Sequence, residues 1–344
     1  RVSRMSRRGA TAPTLGTSVA RNARGRFAAV ADHSPNTPVR IRGLHKRFGE
    51  VTALDGIALE VARGEVFGLL GPDGAGKTTF MRIACGILPP DEGEVRVAGC
   101  DVAASPEAVK PHTGYLAQRF ALYGDLTVDE NLSFSAAVYG VPRSEFAERR
   151  EHLLRITRLD PFTDRLAENL SGGMKQKLGL ICTLIHRPEV LFLDEPTTGV
   201  DPMSRRDFWR LLYGLPAEGV TVIVSTPYMD EAERCDRVAL LYGGSLLACA
   251  TPGELKMRVP GKLFSIGASP QEAARRVLAD RPDVLSVTVF GDRLHVALRE
   301  EADIGAVAAS LGDEGVEVAF AERIEPSLEN VFTNAIEEAE QRDG

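Results

Sequence analysis

The chain has 344 residues, 44% hydrophobic and 26% charged, with a net charge of −7, enough for two domains or one large domain with an appendage. No run reaches the roughly 18 uninterrupted apolar residues of a membrane-spanning helix. The best candidate, 178–193, is broken by His186, Arg187, Pro188 and Glu189, so any membrane role must pass through a partner.

Residues 1–38 are rich in Arg, Ala, Ser and Thr and lack periodicity, which reads as a disordered basic tail. An organellar presequence is a second reading. A third is an over-extended start, with the natural chain beginning at Val2, Met5 or later. Residues 1–31 hold seven arginines and no acid; the rest of the chain carries 34 basic against 48 acidic side chains. So acidic a body argues against a nucleic-acid-binding surface. The five cysteines form no Cys-x-x-Cys pair, and most sit in apolar segments away from the six histidines. Buried free thiols in a reducing compartment follow, rather than a metal site.

From Val39 to Arg42 and from Ala58 to Val61 the pattern alternates, as in strands of an antiparallel layer. Between them Phe48 reads either as a face for stacking on a purine or as an ordinary half-buried strand residue. An apolar strand at 66–70 then runs into Gly71-Pro72-Asp73-Gly74-Ala75-Gly76-Lys77-Thr78-Thr79, which opens an amphipathic helix over 80–88. Strand, glycine-rich turn and helix in this order make a phosphate-binding P-loop. The glycines let successive N–H groups curl toward phosphate oxygens, and the helix N-terminus adds positive dipole. Lys77 can reach the β- and γ-phosphates of a nucleoside triphosphate, and the Thr78 hydroxyl can ligate Mg²⁺.

Pro89 to Gly93 is a stop and turn; 94–97 is a short strand, and 113–117 is another that ends at Gln118. Residues 127–169 read as helical, with apolar residues at helical spacing. Leu170-Ser171-Gly172-Gly173-Met174-Lys175-Gln176 leads into a helix over 178–184. The apolar strand 190–193 ends in Asp194-Glu195, and 220–224 and 238–242 are further apolar strands. Strands alternating with helices imply a mostly parallel, doubly wound sheet with ligands at the strands' carboxyl ends, where Gly71, Gln118, Asp194 and Ser225 fall. Past Arg258 the order changes to β-α-β-β-α-β, ending in a helix over 327–339, a ferredoxin-like pattern suited to dimerisation, regulatory docking or a passive acidic cap.

Singly, the later motifs are modest; jointly they are specific. A P-loop, a glutamine-ended strand, a helical insert, Leu-Ser-Gly-Gly-x-x-Gln and an Asp-Glu-Pro-Thr starting 23 positions after its serine share one order. Over roughly residues 39–250 the sequence resembles the ATP-binding cassette (ABC) ATPases. The expected fold is therefore an α/β P-loop NTPase cassette over 39–258, mostly parallel with an antiparallel β layer and a helical insert at about 119–170. A small ferredoxin-like α+β domain follows at 259–344.

The resemblance implies ATP and Mg²⁺ as cofactors, a transmembrane permease, and a second cassette closing head to tail over two ATPs. It assigns Phe48 to adenine stacking, and Gly71, Pro72, Asp73, Gly74, Ala75, Gly76, Lys77, Thr78 and Thr79 to the phosphates. It assigns Thr78, Gln118 and Asp194 to the metal, and Glu195 and Gln118 to catalysis. Ser171, Gly172 and Gly173 become the signature that meets the γ-phosphate held by the opposite chain, and Asp201 the dimer-interface loop. The chemistry agrees: Asp194 and Glu195 diverge at a strand end, one toward a metal and one toward a water.

Two departures stand out. Pro227 occupies the position where the family places a γ-phosphate-contacting histidine, and Asp73 stands where asparagine is usual. Proline offers no donor, which points to slow hydrolysis at the chain's own site beside an intact signature. The stretch from Tyr228 to Val238 and the C-terminal Pro326-Ser-Leu-Glu-Asn-Val-Phe332 are similar to ATPase subunits of daunorubicin-resistance-type bacterial drug exporters. That likeness implies efflux through a separate permease at the cytoplasmic face of the bacterial inner membrane. The alternative is a hydrolysis-impaired regulatory cassette paired with a complete one.

Overall fold

The computed structural model describes residues 36–118 and 122–343; the expectation of a disordered tail falls almost wholly outside them. β1 (Val39–Phe48) and β2 (Val51–Val61) form an antiparallel hairpin. β3 (Val66–Leu70), buried throughout, feeds the glycine-rich loop, and α1 (Lys77–Ala84) leaves it. β4 (Glu92–Val97) and β5 (Cys100–Asp101) complete a four-stranded antiparallel sheet of order β2-β1-β4-β5. After the short α2 (Pro106–Val109), β6 (Thr113–Leu116) enters a second sheet.

The helical insert is two helices, not one continuous stretch. α3 (Val128–Val138) starts on a capping box between Thr127 and Glu130, and α4 (Arg143–Thr157) ends at Arg158 in the left-handed region. Gly140 (φ 65°) and Pro142 break the helical run between them, and only short 3₁₀ turns follow α4. α5 (Gly172–Leu184) begins six residues earlier than its apolar run implied, because Ser171 caps it by accepting from Met174 N–H.

β7 (Val190–Asp194), α6 (Pro202–Leu212), β8 (Thr221–Thr226), the short α7 (Met229–Ala232), β9 (Arg237–Tyr242), β10 (Ser245–Ala250) and α8 (Pro252–Lys256) follow. The second sheet has the order β10-β9-β3-β8-β7-β6 and is parallel except for β10. Alternate residues of its strands enter two cores, as the two-residue period requires. Leu191, Leu193, Val222 and Val224 face the core shared with α5 and α6. Phe67, Phe192 and Ile223 face the core shared with α1 and the antiparallel sheet. Fully burying a phenylalanine such as Phe67 or Phe192 contributes about 1.5–3 kcal/mol.

β11 (Lys262–Ser269), α9 (Gln271–Ala279), β12 (Val284–Phe290), β13 (Arg293–Leu298), α10 (Ile304–Asp313) and β14 (Glu317–Arg323) build a separate antiparallel sheet of order β12-β13-β11-β14. Its core joins Phe264, Ile266, Leu294 and Val296 to Leu278 of α9 and Val307 and Leu311 of α10. α11 (Leu328–Asp343) does not complete that core. Its Leu328, Val331 and Phe332 enter the core of the large sheet beside Leu255, while Asn330 hydrogen-bonds a ring nitrogen of His295 at 2.8 Å. Among the described residues no helix is long and apolar enough to cross a membrane, and all five cysteines are free, three of them buried.

The junction of insert and sheet carries a pH-sensitive contact. His186 stacks on Tyr139 at 3.7 Å, and one ring nitrogen donates to the Thr113 carbonyl at 3.0 Å. The other ring nitrogen, Nδ1, is buried without a partner among the described residues. Burial, with Arg149 nearby, holds the His186 pKa below its ordinary 6.5. The folded state thus binds fewer protons than the unfolded one, so stability present above pH 6.5 is lost as pH falls toward the folded value. Urea midpoints at pH 7.5 and 5.5 should drop more for the wild type than for His186→Phe, which keeps the stack and cannot titrate. Equal drops would exclude His186 as the source.

Candidate functional site

The register of the large sheet brings four strand ends together. Leu70 pairs with Thr226, Ser225 with Asp194, and Leu193 with Leu116. The P-loop, the segment at Pro227, Asp194-Glu195 and Gln118 therefore leave the sheet at one edge, the carboxyl ends where α/β sheets bind ligands. A cleft of about 410 Å³ opens there. It is lined by Asp73 through Thr79, Gln118 and Glu195, and across it by Val51, Thr52 and Ala53 of β2.

The loop holds its curl through glycine. Gly76, the N-cap of α1, has φ 100°, and a Cβ there would stand 2.5 Å from the Ala53 carbonyl oxygen. The antiparallel sheet thus closes on the loop so tightly that no side chain fits at this position. Lys77 is 4% exposed; its Nζ donates to the carbonyls of Gly71 (2.8 Å) and Pro72 (3.0 Å) and pairs with Glu195 Oε1 at 3.0 Å. Gly71 and Pro72 thus serve Lys77 through their carbonyls and do not line the cleft.

Asp194 lies behind the loop, 1% exposed, and accepts from three hydroxyls: Ser225 (2.8 Å), Thr78 (3.1 Å) and Tyr115 (3.1 Å). Burial, and then the Asp194 charge, push the Tyr115 pKa well up, so the phenol stays protonated and donates. Glu195 is 7% exposed and sits in the left-handed region at φ 47°. Its Oε2 accepts from Gln118 Nε2 at 2.9 Å and from the Thr198 hydroxyl at 3.4 Å, and its backbone N–H donates to Ser225 Oγ at 3.0 Å. Lys77, Thr78, Gln118, Asp194 and Glu195 therefore form one connected polar cluster.

Thr78 Oγ1, the Asp194 carboxylate and the amide oxygen of Gln118 are hard oxygen donors, which suit Mg²⁺. Among the described residues no group of three His, Cys, Asp or Glu side chains stands ready to hold a metal. An ion here would need phosphate oxygens to complete its shell, as Mg²⁺ in NTPase sites does.

Other expected residues lie apart. Ser171, Gly172 and Gly173 sit at the start of α5 and do not line the cleft; Ser171 and Gly172 are exposed. Gly173 packs so closely that a Cβ would meet Ser204 Oγ of α6 at 2.4 Å. Asp201 caps α6, accepting from Ser204 N–H at 2.9 Å; the Ser204 hydroxyl first, and then this N–H, hold its pKa below the ordinary value. Phe48 is 49% exposed at the hairpin end beside Val51, with Lys46 over its ring at 5.5 Å; it does not line the cleft. Pro227 also lies outside the cleft, in a groove shared with Tyr228 and with Glu329 of α11.

Several residues of the site escape sequence reasoning. Tyr115 is a lone hydroxyl in an apolar strand, and Ser225 is legible only as a strand end with no partner named; only the sheet order aims both at Asp194. Val51 to Ala53 reach the cleft from a strand that carries no motif.

Fold and cleft together define a P-loop nucleotide-binding α/β protein. The family model described as ABC transporter matches residues 54–198. The chain is 36% identical to a daunorubicin resistance ATP-binding protein of Streptomyces coeruleorubidus, over 86% of this chain and 95% of that one. It is 45% identical to a probable multidrug ABC transporter ATP-binding protein of Escherichia coli (strain K12), over 64% of this chain but only 38% of that longer protein. Among solved structures it resembles the dimeric, post-hydrolysis structure of an ATP-binding cassette bound to ADP and Pi, with a TM-score of 0.57, 25% identity, and 62% and 98% of the two chains covered. The chain belongs to the ABC transporter ATP-binding proteins, a family of cassette ATPases.

Proposed function

We propose that this chain is the ATP-binding subunit of an ABC exporter. It hydrolyses ATP to drive efflux of a drug-like or hydrophobic substrate through a separate membrane permease. The observation that carries the reading is the convergence of Lys77, Thr78, Gln118 and Glu195 on one cleft, with Asp194 directly behind it on the Thr78 hydroxyl.

In this reading the loop from Asp73 to Thr79 holds the phosphates, Gly71 and Pro72 hold Lys77 in place beneath them, and Phe48, exposed at the hairpin end outside the cleft, stacks on an adenine that projects beyond the cleft. Thr78, Asp194 and Gln118 hold Mg²⁺, which neutralises phosphate charge when bound. Glu195 takes the proton of the attacking water, and Gln118 orients Glu195 and that water. ADP and phosphate are the products.

Ser171 to Gly173 lie off the cleft, so they serve the γ-phosphate held by a second cassette, with Asp201 at the shared interface. The relatives named for drug resistance and multidrug transport favour an exporter, and the dimeric cassette structure favours the pair. The chain then works peripherally at the cytoplasmic face of the bacterial inner membrane, touching the membrane only through its permease.

Residues 39–258 then form the cassette and the part from 259 an accessory unit, a ferredoxin-like reading supported by the strand order β12-β13-β11-β14. Helix α11 ties that unit to the cassette core. A second reading, a hydrolysis-impaired regulatory cassette with a complete partner, is favoured by Pro227 alone.

The test is fluorescent Mg-ATP binding and phosphate release by the purified chain. Lys77→Ala should weaken ATP affinity about 10–100-fold, the worth of a charge-assisted phosphate contact. Turnover per chain should rise with chain concentration, because each site needs a second chain. Unchanged affinity in the variant would remove the P-loop assignment, and a concentration-independent rate would remove the pairing.

A further inference from the structure

We propose that Glu231 is a positioning residue for hydrolysis: it clamps the turn after β7 and so keeps Glu195 aimed into the cleft. The inference rests on the reading of Glu195 as the base. Glu231 is fully buried, although it sits in a short acidic turn that reads as solvent-exposed. Its carboxylate gathers three segments. The Thr197 hydroxyl donates to Oε1, the Thr226 hydroxyl donates to Oε2 at 2.8 Å, and Arg205 of α6 pairs with Oε1 at 3.3 Å.

Each partner adjoins the site. Thr197 follows Glu195 by two residues. Glu195 is one of the few non-glycine residues in the left-handed region, a conformation that persists only where its surroundings over-determine it. Ser225 Oγ fixes its N–H, and the turn closes from Thr198 N–H to the Glu195 carbonyl at 3.2 Å. Glu231 supplies the third restraint by tethering Thr197.

Thr226 ends β8, and its hydroxyl also accepts from Tyr228 N–H at 3.0 Å, bracketing Pro227. Arg205 lies over the Tyr228 ring at 4.4 Å and follows Ser204, the residue pressed against Gly173. One carboxylate thus joins the exit of β7, the end of β8 and the start of α6. An acid at this depth is retained with its charge satisfied by Arg205 and both oxygens engaged.

The experiment is a cycle of Glu231→Ala, Glu231→Gln and Thr197→Val in the wild-type and Glu195→Gln backgrounds of the full chain. Its readouts are kcat and KM for phosphate release, and equilibrium ADP affinity. In the wild-type background Glu231→Ala should lower kcat 10–100-fold, the scale of a roughly 1 Å misplacement, with KM and ADP affinity within twofold. Glu231→Gln, which keeps an oxygen acceptor, should recover part of the loss. In the Glu195→Gln background the same change should alter the rate less than twofold, because Glu231 acts through Glu195.

Thr197→Val, which leaves the Arg205 pair intact, should repeat the pattern if Glu231→Ala fails to fold. An undiminished kcat, an equal loss in both backgrounds, or a parallel loss of ADP affinity would overturn the proposal. Glu195→Gln keeping full turnover would overturn the base assignment itself. Glu195→Gln losing turnover while Glu231→Ala keeps it would overturn only the clamp.

Discussion

Glu195→Gln should lower ATP turnover about 10³-fold while leaving Mg-ATP affinity within a few-fold. The substitution keeps the volume and one acceptor oxygen but cannot take a proton. Oε2 receives Gln118 and Thr198, and Oε1 meets Lys77, so the carboxylate is held from several sides at the cleft wall. An amide at this place can still accept from Gln118, and the turn after β7 is fixed through the backbone and Ser225, so the site stays assembled. One term runs the other way: losing the Lys77–Glu195 pair frees Lys77 for phosphate, which favours tighter binding. The combination of slow phosphate release at saturating ATP with unchanged or tighter binding separates a lost base from a damaged pocket. Turnover within tenfold of the wild type would place the base elsewhere.

The parts of this site legible in the sequence are those whose chemistry is local. The loop from Gly71 to Thr79 needs consecutive glycines, a lysine and a hydroxyl in one turn, and all are adjacent in the chain. Asp194 and Glu195 end an apolar strand, so their place at a sheet edge follows from that strand alone. Tyr115 and Ser225 become partners of Asp194 only because β6 and β8 flank β7, a neighbour relation that no local pattern encodes. Glu231 inverts the usual rule: an acid in Asp-Glu-Ala reads as solvated, yet Thr197, Thr226 and Arg205 bury it. The helical insert shows in its period, but Gly140 and Pro142 override the apolar spacing and break it in two. α11 has the period of a helix closing the C-terminal unit, and its partners turn out to be α8 and the large sheet's core. Burial of Leu328 and Phe332 depends on which face is open, and a helical period does not name the neighbour.

Pro227→His should raise kcat, by up to about 10²-fold, with little change in KM for ATP. The register argues for the place: Thr226 pairs with Leu70, so residue 227 leaves the sheet beside Gly71, at the edge that carries the P-loop. Proline there supplies neither a side-chain donor nor an N–H. The neighbouring hydroxyl does not replace it: Thr226 Oγ1 donates to Glu231 and accepts from Tyr228 N–H, so it is engaged away from the cleft. The Tyr228 ring lies under Arg205, at 4.4 Å. Both neighbours of Pro227 are thus engaged elsewhere, and an imidazole at 227, longer than the proline ring that stays outside the cleft, would reach from beside Gly71 to add a donor where the transferred phosphoryl group gathers charge. A donor that acts on that charge stabilises the transition state more than bound ATP, which is why the gain belongs in kcat. Steady-state phosphate release by the two chains, at matched concentration and saturating Mg-ATP, reads the difference. Equal turnover would mean that hydrolysis does not wait on this position, and the regulatory reading would lose the observation that favours it.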